Sequence, residues 1–333
     1  TIDPLLQLLV QKMCGVNEYS VYLSPAPLYH AAPLRFNMMV AALGGTSVIM
    51  EKFDPEEYLQ LVEKHKCSAT QLVPTMFVRL LKLPEKVRAK YNVSSLKGAV
   101  HAAAPCPVEV KKKMIDWWGP ILIEYYAGTE GNGVTICTSQ EWLAHPGTVG
   151  KSLVGEIKIL DEEGHVRPTG QIGQVYFAGG PTFEYHNDQA KTKGAYNDQG
   201  WSSLGDVGYL DEEGYLYLTD RKAYMIISGG VNIYPQEVDN ELIKHEAVED
   251  SCTIGVPNKE WGEEVKSVIL LKPGFAESEA LKQDIITFAR GKVAGFKVPR
   301  TIDFVKDMPR NPAGKVERKK VRATYWEGRK VQI

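Results

Sequence analysis

Short apolar runs alternate with longer amphipathic stretches through the first 130 residues. Runs at 21–23, 47–50, 70–73, 99–102 and 121–125 have strand length. Between them, 33–43, 55–64, 75–82 and 108–117 carry apolar residues at helical spacing or open on a proline. Strands alternating with helices predict an α/β fold, a parallel sheet with helices on both faces. In such sheets ligands gather at the carboxyl ends of the strands. The unusual local sequences fall there, at 25–30, 101–107 and 125–131.

From 147 to 220 the pattern shortens. Glycines become dense, and 157–160, 174–177, 201–204 and 215–218 read as strands. Asp-Glu-Glu-Gly occurs at 161–164 and again at 211–214, a polar turn signal between strands. This predicts a β-rich subdomain over 146–220, closing a large domain of residues 1–220. A smaller α+β domain is expected over 221–333, with helices at 235–244 and 278–291 and strands at 251–256, 265–271 and 302–305. The tail beyond Arg318 is basic and polar, and 325–333 reads as disordered.

Composition removes several function classes. The 333 residues suffice for two domains of roughly 150 residues each, and 44% hydrophobic content supplies a core. Lys and Arg number 39 against 41 Asp and Glu, so the chain lacks the basic excess of a dedicated nucleic-acid binder. No apolar run reaches the ~20 residues of a membrane span, and Asp3 and Pro4 sit where a signal peptide would carry basic residues. The five cysteines are odd in number and none pairs at metal-ligand spacing. They read as buried thiols in a reducing compartment, which makes a soluble cytoplasmic protein the expectation.

Four segments carry candidate chemistry. Tyr126-Ala127-Gly128-Thr129-Glu130-Gly131 sits at a strand end. Its small residues let the backbone approach a nucleotide, and its hydroxyl beside a carboxylate can hold a phosphate oxygen with its Mg²⁺. The aromatic upstream can stack on a base. His101-Ala102-Ala103-Ala104-Pro105 is a small-residue turn after a strand. Ser203-Leu204-Gly205-Asp206-Val207-Gly208 places a carboxylate on a glycine-flanked turn, suited to a ribose diol. Pro309-Arg310-Asn311-Pro312-Ala313-Gly314-Lys315 presents a lysine on a Pro/Gly loop. Taken singly, each is equally a packing turn, a hairpin acid or a surface lysine.

Taken in order, the four resemble the signature motifs of the adenylate-forming superfamily: acyl-CoA synthetases, luciferases and peptide-synthetase adenylation domains. Pro27-Leu28-Tyr29-His30 resembles that family's Pro-aromatic-His segment beside the acyl pocket. Asp220-Arg221-Lys222, with Ser228-Gly229-Gly230-Val231-Asn232-Ile233-Tyr234-Pro235, is similar to its hinge and the strand that follows. Phe296-Lys297-Val298-Pro299 matches the segment before the catalytic loop. The likeness spans residues 20 to 322.

The resemblance implies an ATP-dependent acid–CoA ligase. A carboxylate attacks the α-phosphorus of ATP, expelling pyrophosphate and giving an acyl-adenylate, and the thiol of coenzyme A then displaces AMP. Lys315 would touch the α-phosphate and the carboxylate, Thr129 would bind phosphate, and Glu130 would carry Mg²⁺. Asp206 would accept the ribose hydroxyls beside Arg221, and Tyr126 with Ala103, Ala104 and Pro105 would frame the adenine. Asn232 would help hold the adenylate, Gly229 and Gly230 would line the CoA path, and His30 and Tyr125 the acyl pocket. Three departures stand out: Ala102 and Ala127 replace glycines, and Ala223 occupies the hinge pivot, where Asp or Lys is common.

Residues 124–131 and 141–147 are closer to fatty-acyl and bile-acid-type ligases than to aryl-acid ones, so the expected substrate is a hydrophobic carboxylic acid. The family's phosphate loop has no counterpart before His30. The chain therefore reads as a ligase lacking about its first third, inactive by itself, with association to that segment or a homodimer as its expected contacts. Two other readings stay open: loading of a carrier-protein pantetheine, and a non-catalytic AMP-binding fragment.

Overall fold

A computed structural model of the chain describes residues 4–311 and 315–327. Its first sheet contains β1 (Val21–Ser24), β2 (Thr46–Ile49), β3 (Ala69–Leu72), β4 (Gly98–His101), β5 (Leu122–Ala127), β6 (Val134–Thr138) and β7 (Lys151–Val154), in the order β2-β1-β3-β4-β5-β6-β7. The first five strands run parallel, and β6 and β7 join antiparallel. Every residue of β3 and β4 is buried, as central strands of a parallel sheet require.

Helices cover both faces. On one, Pro55–His65, Pro74–Lys82 and Val108–Trp118 pack Leu59, Phe77, Leu80 and Met114 against Leu23, Leu72, Ala99 and Leu122. On the other, Ala31–Ala42 lays Phe36, Met39 and Val40 over Tyr22, Ala69, Val100 and Ile123. Local chemistry fixes the ends. Asp54 accepts the backbone N–H groups of Glu56 and Glu57, Pro55 takes the first helical position, and Lys66 closes the helix in the left-handed region. Because β2 and β3 flank β1, the chain leaves β1 toward one face and β3 toward the other. That reversal opens a crevice at the strand carboxyl ends.

The second sheet is antiparallel: β8 (Glu156–Leu160), β9 (Gly173–Ala178), β10 (Asp206–Leu210) and β11 (Leu216–Arg221), in the order β11-β10-β9-β8. The two Asp-Glu-Glu-Gly segments are its turns. Asp161 Oδ1 accepts the His165 N–H and Asp211 Oδ1 that of Tyr215, both at 2.8 Å, with Gly164 and Gly214 at positive φ. The strand expected at 201–204 is instead a single bridged residue. Ser202 pairs with Phe177 and Tyr196, and the backbone then turns at Gly205 before β10 begins at Asp206.

The third sheet holds β12 (Ile226–Ser228), β13 (Val231–Ile233), β14 (Val248–Asn258), β15 (Gly262–Leu271) and β16 (Thr301–Val305). The helices Pro235–Leu242 and Glu279–Arg290 bury Val238, Leu242, Ile285 and Ala289 against it. The basic tail also needs correction: Arg318–Trp326 is a helix. A narrow stripe suffices to dock it, because Val321 packs with Cys252, Ile254 and Val256, and Trp326 donates to Gly255 O at 2.9 Å. Residues 328–333 of that tail lie outside the described residues. The architecture is α/β as expected: a parallel sheet between helices, a β-rich sheet and a smaller α+β unit.

A buried polar cluster underlies β4 and β5. Lys111 is fully buried, donates to Glu124 Oε2 at 2.5 Å and lies 5.0 Å from the Trp142 ring centre. Burial raises the Glu124 carboxyl, opposed by Lys111. His101 lies 3.7 Å from Glu124, yet burial and the Lys111 charge hold it far below the ordinary histidine range, so it is neutral. A histidine that cannot charge when folded but can when unfolded supports stability above pH 6.5, its ordinary value, and loses that support as pH falls below it. Denaturant midpoints of wild type and His101→Gln should therefore diverge below pH 6.5, the wild type losing up to ~1.4 kcal/mol more per pH unit. Parallel pH profiles would contradict this.

Candidate functional site

The carboxyl end of β5 meets the second sheet in a tight seam. Gly133 and Gly180 permit it. A Cβ at Gly133 would meet the Phe177 ring at 2.1 Å, and one at Gly180 would meet Asn132 O at 2.0 Å. Asn132 Nδ2 donates to Ser202 Oγ at 3.1 Å, tying the loop after β5 to the segment entering β10. Across this seam the Tyr126 hydroxyl donates to Asp206 Oδ2 at 2.7 Å, joining residues 80 positions apart. The Tyr126 ring lies near-parallel to Phe177, 6.1 Å between centres, and Asp206 is 6% exposed.

At Gly128 an added side chain would have to turn two flexible neighbours aside. A Cβ there would meet Leu204 Cδ1 at 2.2 Å and Glu130 Oε2 at 2.8 Å. Glu130 Oε1 accepts the Tyr185 hydroxyl at 2.9 Å, and Lys191 Nζ sits 3.7 Å from the centre of the Tyr185 ring. Tyr185 is a functional candidate that sequence reasoning missed; an aromatic two residues after Phe183 in a loop gives little signal. Thr129 is exposed on the same turn. One carboxylate suits Mg²⁺ brought in by a phosphate chain, since Mg²⁺ is usually held by one or two carboxylates plus substrate phosphates. Among the described residues no group of three or more His, Cys, Asp or Glu can hold a metal by itself.

The turn after β4 is strained. Ala103 sits at φ 74°, a left-handed conformation in which a Cβ is costly. The glycine-favouring position is therefore Ala103 rather than Ala102. Ala104 and Pro105 follow it into the helix Val108–Trp118. Arg221 pairs with Asp206 in the β10–β11 register, which brings the two backbones together; its side chain lies outside the described residues.

In the C-terminal unit, Gly229 and Gly230 both have positive φ. Gly229 donates to Trp261 O at 2.8 Å, and a Cβ on it would press the indole at 3.1 Å. The Asn232 amide donates to Glu162 Oε1 at 3.1 Å, a contact with the first turn of the second sheet. Lys315 is exposed on a turn closed by the Arg310–Val316 bridge, its N–H donating to Asn311 Oδ1 at 3.0 Å. Residues 312–314 of that loop lie outside the described residues. Next to it, Arg318 reaches Asp239 at 2.9 Å and Asp220 at 3.9 Å, linking the lysine loop to the end of β11. At the crevice between β1 and β3, His30 begins the helix Ala31–Ala42, and the Tyr125 hydroxyl accepts from Gln71 Nε2 at 3.3 Å.

The fold and this seam define an α/β protein with a candidate nucleotide site at its strand ends and a further α+β unit bearing the lysine loop. Residues 4–184 match the AMP-binding enzyme model and residues 237–315 the AMP-binding enzyme C-terminal domain. The chain belongs to the AMP-binding enzyme family. It is 34% identical over 320 residues to a long-chain-fatty-acid–CoA ligase of Bacillus subtilis, covering 93% of this chain and 56% of that protein. Among solved structures, ATP-bound MatB from Rhodopseudomonas palustris superposes with a TM-score of 0.83 at 29% identity, covering 97% of this chain and 64% of that one. The o-succinylbenzoate CoA synthetase of Bacillus subtilis, bound to its acyl-adenylate, gives 0.81 at 25% identity, covering 99% and 65%. The chain thus spans about half the length of the curated relatives it matches. Among the described residues no helix is long and apolar enough to cross a membrane.

Proposed function

We propose that the chain belongs to an ATP-dependent acid–CoA ligase that activates a hydrophobic carboxylic acid as its adenylate and passes the acyl group to CoA. The observation that carries this is the Tyr126–Asp206 hydrogen bond, which sets an aromatic face and a buried carboxylate side by side at the strand ends. An adenine can stack on the first while ribose hydroxyls bond to the second. Ala103, Ala104 and Pro105 border the base, Arg221 and Asn232 complete the nucleotide's surroundings, and Thr129 holds phosphate.

Negative charge accumulates on the α-phosphate as the carboxylate attacks. Lys315 supplies the fixed positive charge that stabilises it, so positioning and electrostatics do most of the catalysis. Mg²⁺, held at Glu130, would neutralise phosphate charge. His30 and Tyr125 border the acyl chain, and the Gly229–Gly230 turn leaves room for the CoA thiol to approach. Support for the acid class comes from the fatty-acyl ligase among the relatives. We place the protein in the cytoplasm, with acid, ATP and CoA as its small-molecule partners and association with a preceding segment, or a homodimer, as its protein contact.

The test is incubation of the full-length protein with ATP, CoA and a series of hydrophobic acids, followed by mass detection of thioester. Thioester with release of AMP is expected. Adenylate accumulating without thioester would overturn CoA as the acceptor, and failure of this chain to bind AMP in calorimetry would overturn the nucleotide site itself.

A further inference from the structure

The crevice between β1 and β3 is polar where a site for a plain hydrocarbon chain would be apolar. Strand alternation puts Tyr22 and Ser24 of β1, Gln71 of β3 and Tyr125 of β5 on the sheet face roofed by the helix Ala31–Ala42. One step beyond the Leu23–Thr70 pairing, Ser24 stands level with Gln71 on the neighbouring strand. Ser24 Oγ accepts from Asn37 Nδ2 at 2.8 Å, and the same amide nitrogen donates to Pro33 O at 2.8 Å. Gln71 Nε2 donates to the Tyr125 hydroxyl at 3.3 Å. These bonds leave three buried atoms without a partner at the crevice: Gln71 Oε1, Asn37 Oδ1 and His30 Nε2.

Buried polar atoms are almost always paired, and each left unpaired is costly. Of the twelve such atoms among the described residues, three gather at this strand-end crevice. Gln71 is the most constrained of them, being 6% exposed on a central strand. Its tyrosine partner, near the carboxyl end of β5, is only half-buried.

We propose that Gln71 selects the substrate, and that the acid this protein activates carries a hydroxyl group on its acyl portion that bonds to the Gln71 amide beside Tyr125. This rests on the ligase reading above and adds to it a chemical class, a hydroxylated rather than a saturated unsubstituted acid. A hydroxyl both donates and accepts, so it satisfies the amide in either orientation while Tyr125 holds the other end. The rest of the acyl group lies against apolar neighbours, among them Phe36 and Ile123.

The test uses this chain and a panel of non-hydrolysable acyl-sulfamoyl adenosines that differ only in whether, and where along one acyl chain, a hydroxyl is placed. Affinities are read by calorimetry, with AMP as the reference ligand. One hydroxylated member should bind at least ~10-fold tighter than the unsubstituted compound. Gln71→Leu, a fold-compatible apolar replacement verified by circular dichroism, should erase that preference, and Tyr125→Phe should reduce it. AMP binding with equal affinity across the panel would overturn the proposal and leave the nucleotide site standing. A preference surviving Gln71→Leu would overturn it as well. Binding of neither AMP nor any panel member would overturn both readings.

Discussion

Lys315→Ala in the full-length protein is expected to slow adenylate formation by on the order of 10²–10³ while leaving thioester formation from supplied acyl-adenylate close to wild type. The geometry makes the outcome diagnostic. Lys315 is exposed on a turn whose two sides are stapled by the Arg310–Val316 bridge and by the Glu317 N–H to Pro309 O bond at 2.8 Å. The turn is anchored behind by Met308, which is 1% exposed. Lys315 is exposed, so truncating its side chain should change stability by less than ~0.5 kcal/mol. A lysine that only decorates the surface would leave both half-reactions untouched, and one needed for folding would damage both equally. Rapid-quench measurement of each half-reaction, with a parallel thermal melt, separates the three. Equal loss in the two half-reactions would defeat the assignment.

Much of the fold was legible because its main signals are local. The apolar runs of β1, β3, β4 and β5 and the proline- or Asp-capped helices between them are written in consecutive residues. What escaped was structure set by distant partners. β6 and β7 fall outside the apolar runs, since polar Thr135, Thr138, Lys151 and Ser152 break those runs up; as strands they are fixed by the antiparallel ladder that β5 and then β6 supply. The helix Arg318–Trp326 is highly charged, and its order comes from docking Val321 onto β14.

The site divides the same way. Tyr126, Asp206 and Glu130 stand out as motif residues, but nothing local announces that Tyr126 bonds to Asp206 or that Tyr185 holds Glu130. Lys111 reads as one of three consecutive lysines on a solvated face. Its spacing from Met114, Ile115 and Trp118 places it instead on the buried stripe, a signal that helical periodicity carried in the sequence. Gln71 hides for the opposite reason: in a central strand, a polar residue is visible only once the sheet face it occupies is known.

Asp206→Ala should weaken AMP binding to this chain, and raise the ATP KM of the full-length protein, by on the order of 10- to 100-fold. A ribose diol buried beside the seam would lose a charged acceptor and gain no water in its place. The Tyr126 hydroxyl would lose its 2.7 Å partner as well, so part of the effect could come from a displaced stacking ring. Two companion variants apportion it. Tyr126→Phe keeps the ring and the carboxylate and removes only the hydrogen bond between them, so its loss measures positioning alone and should be the smaller. Asp206→Asn keeps an acceptor for Tyr126 but removes the charge, so its loss reports the charge-assisted bonds to ribose and should lie between the other two. Deoxyribose nucleotides sharpen the comparison: 2′-deoxy-AMP should bind wild type more weakly than AMP does, and Asp206→Ala should no longer distinguish the two. If Asp206→Ala leaves AMP affinity unchanged, or still discriminates between AMP and its 2′-deoxy form, then Asp206 only starts β10 and the ribose is held elsewhere.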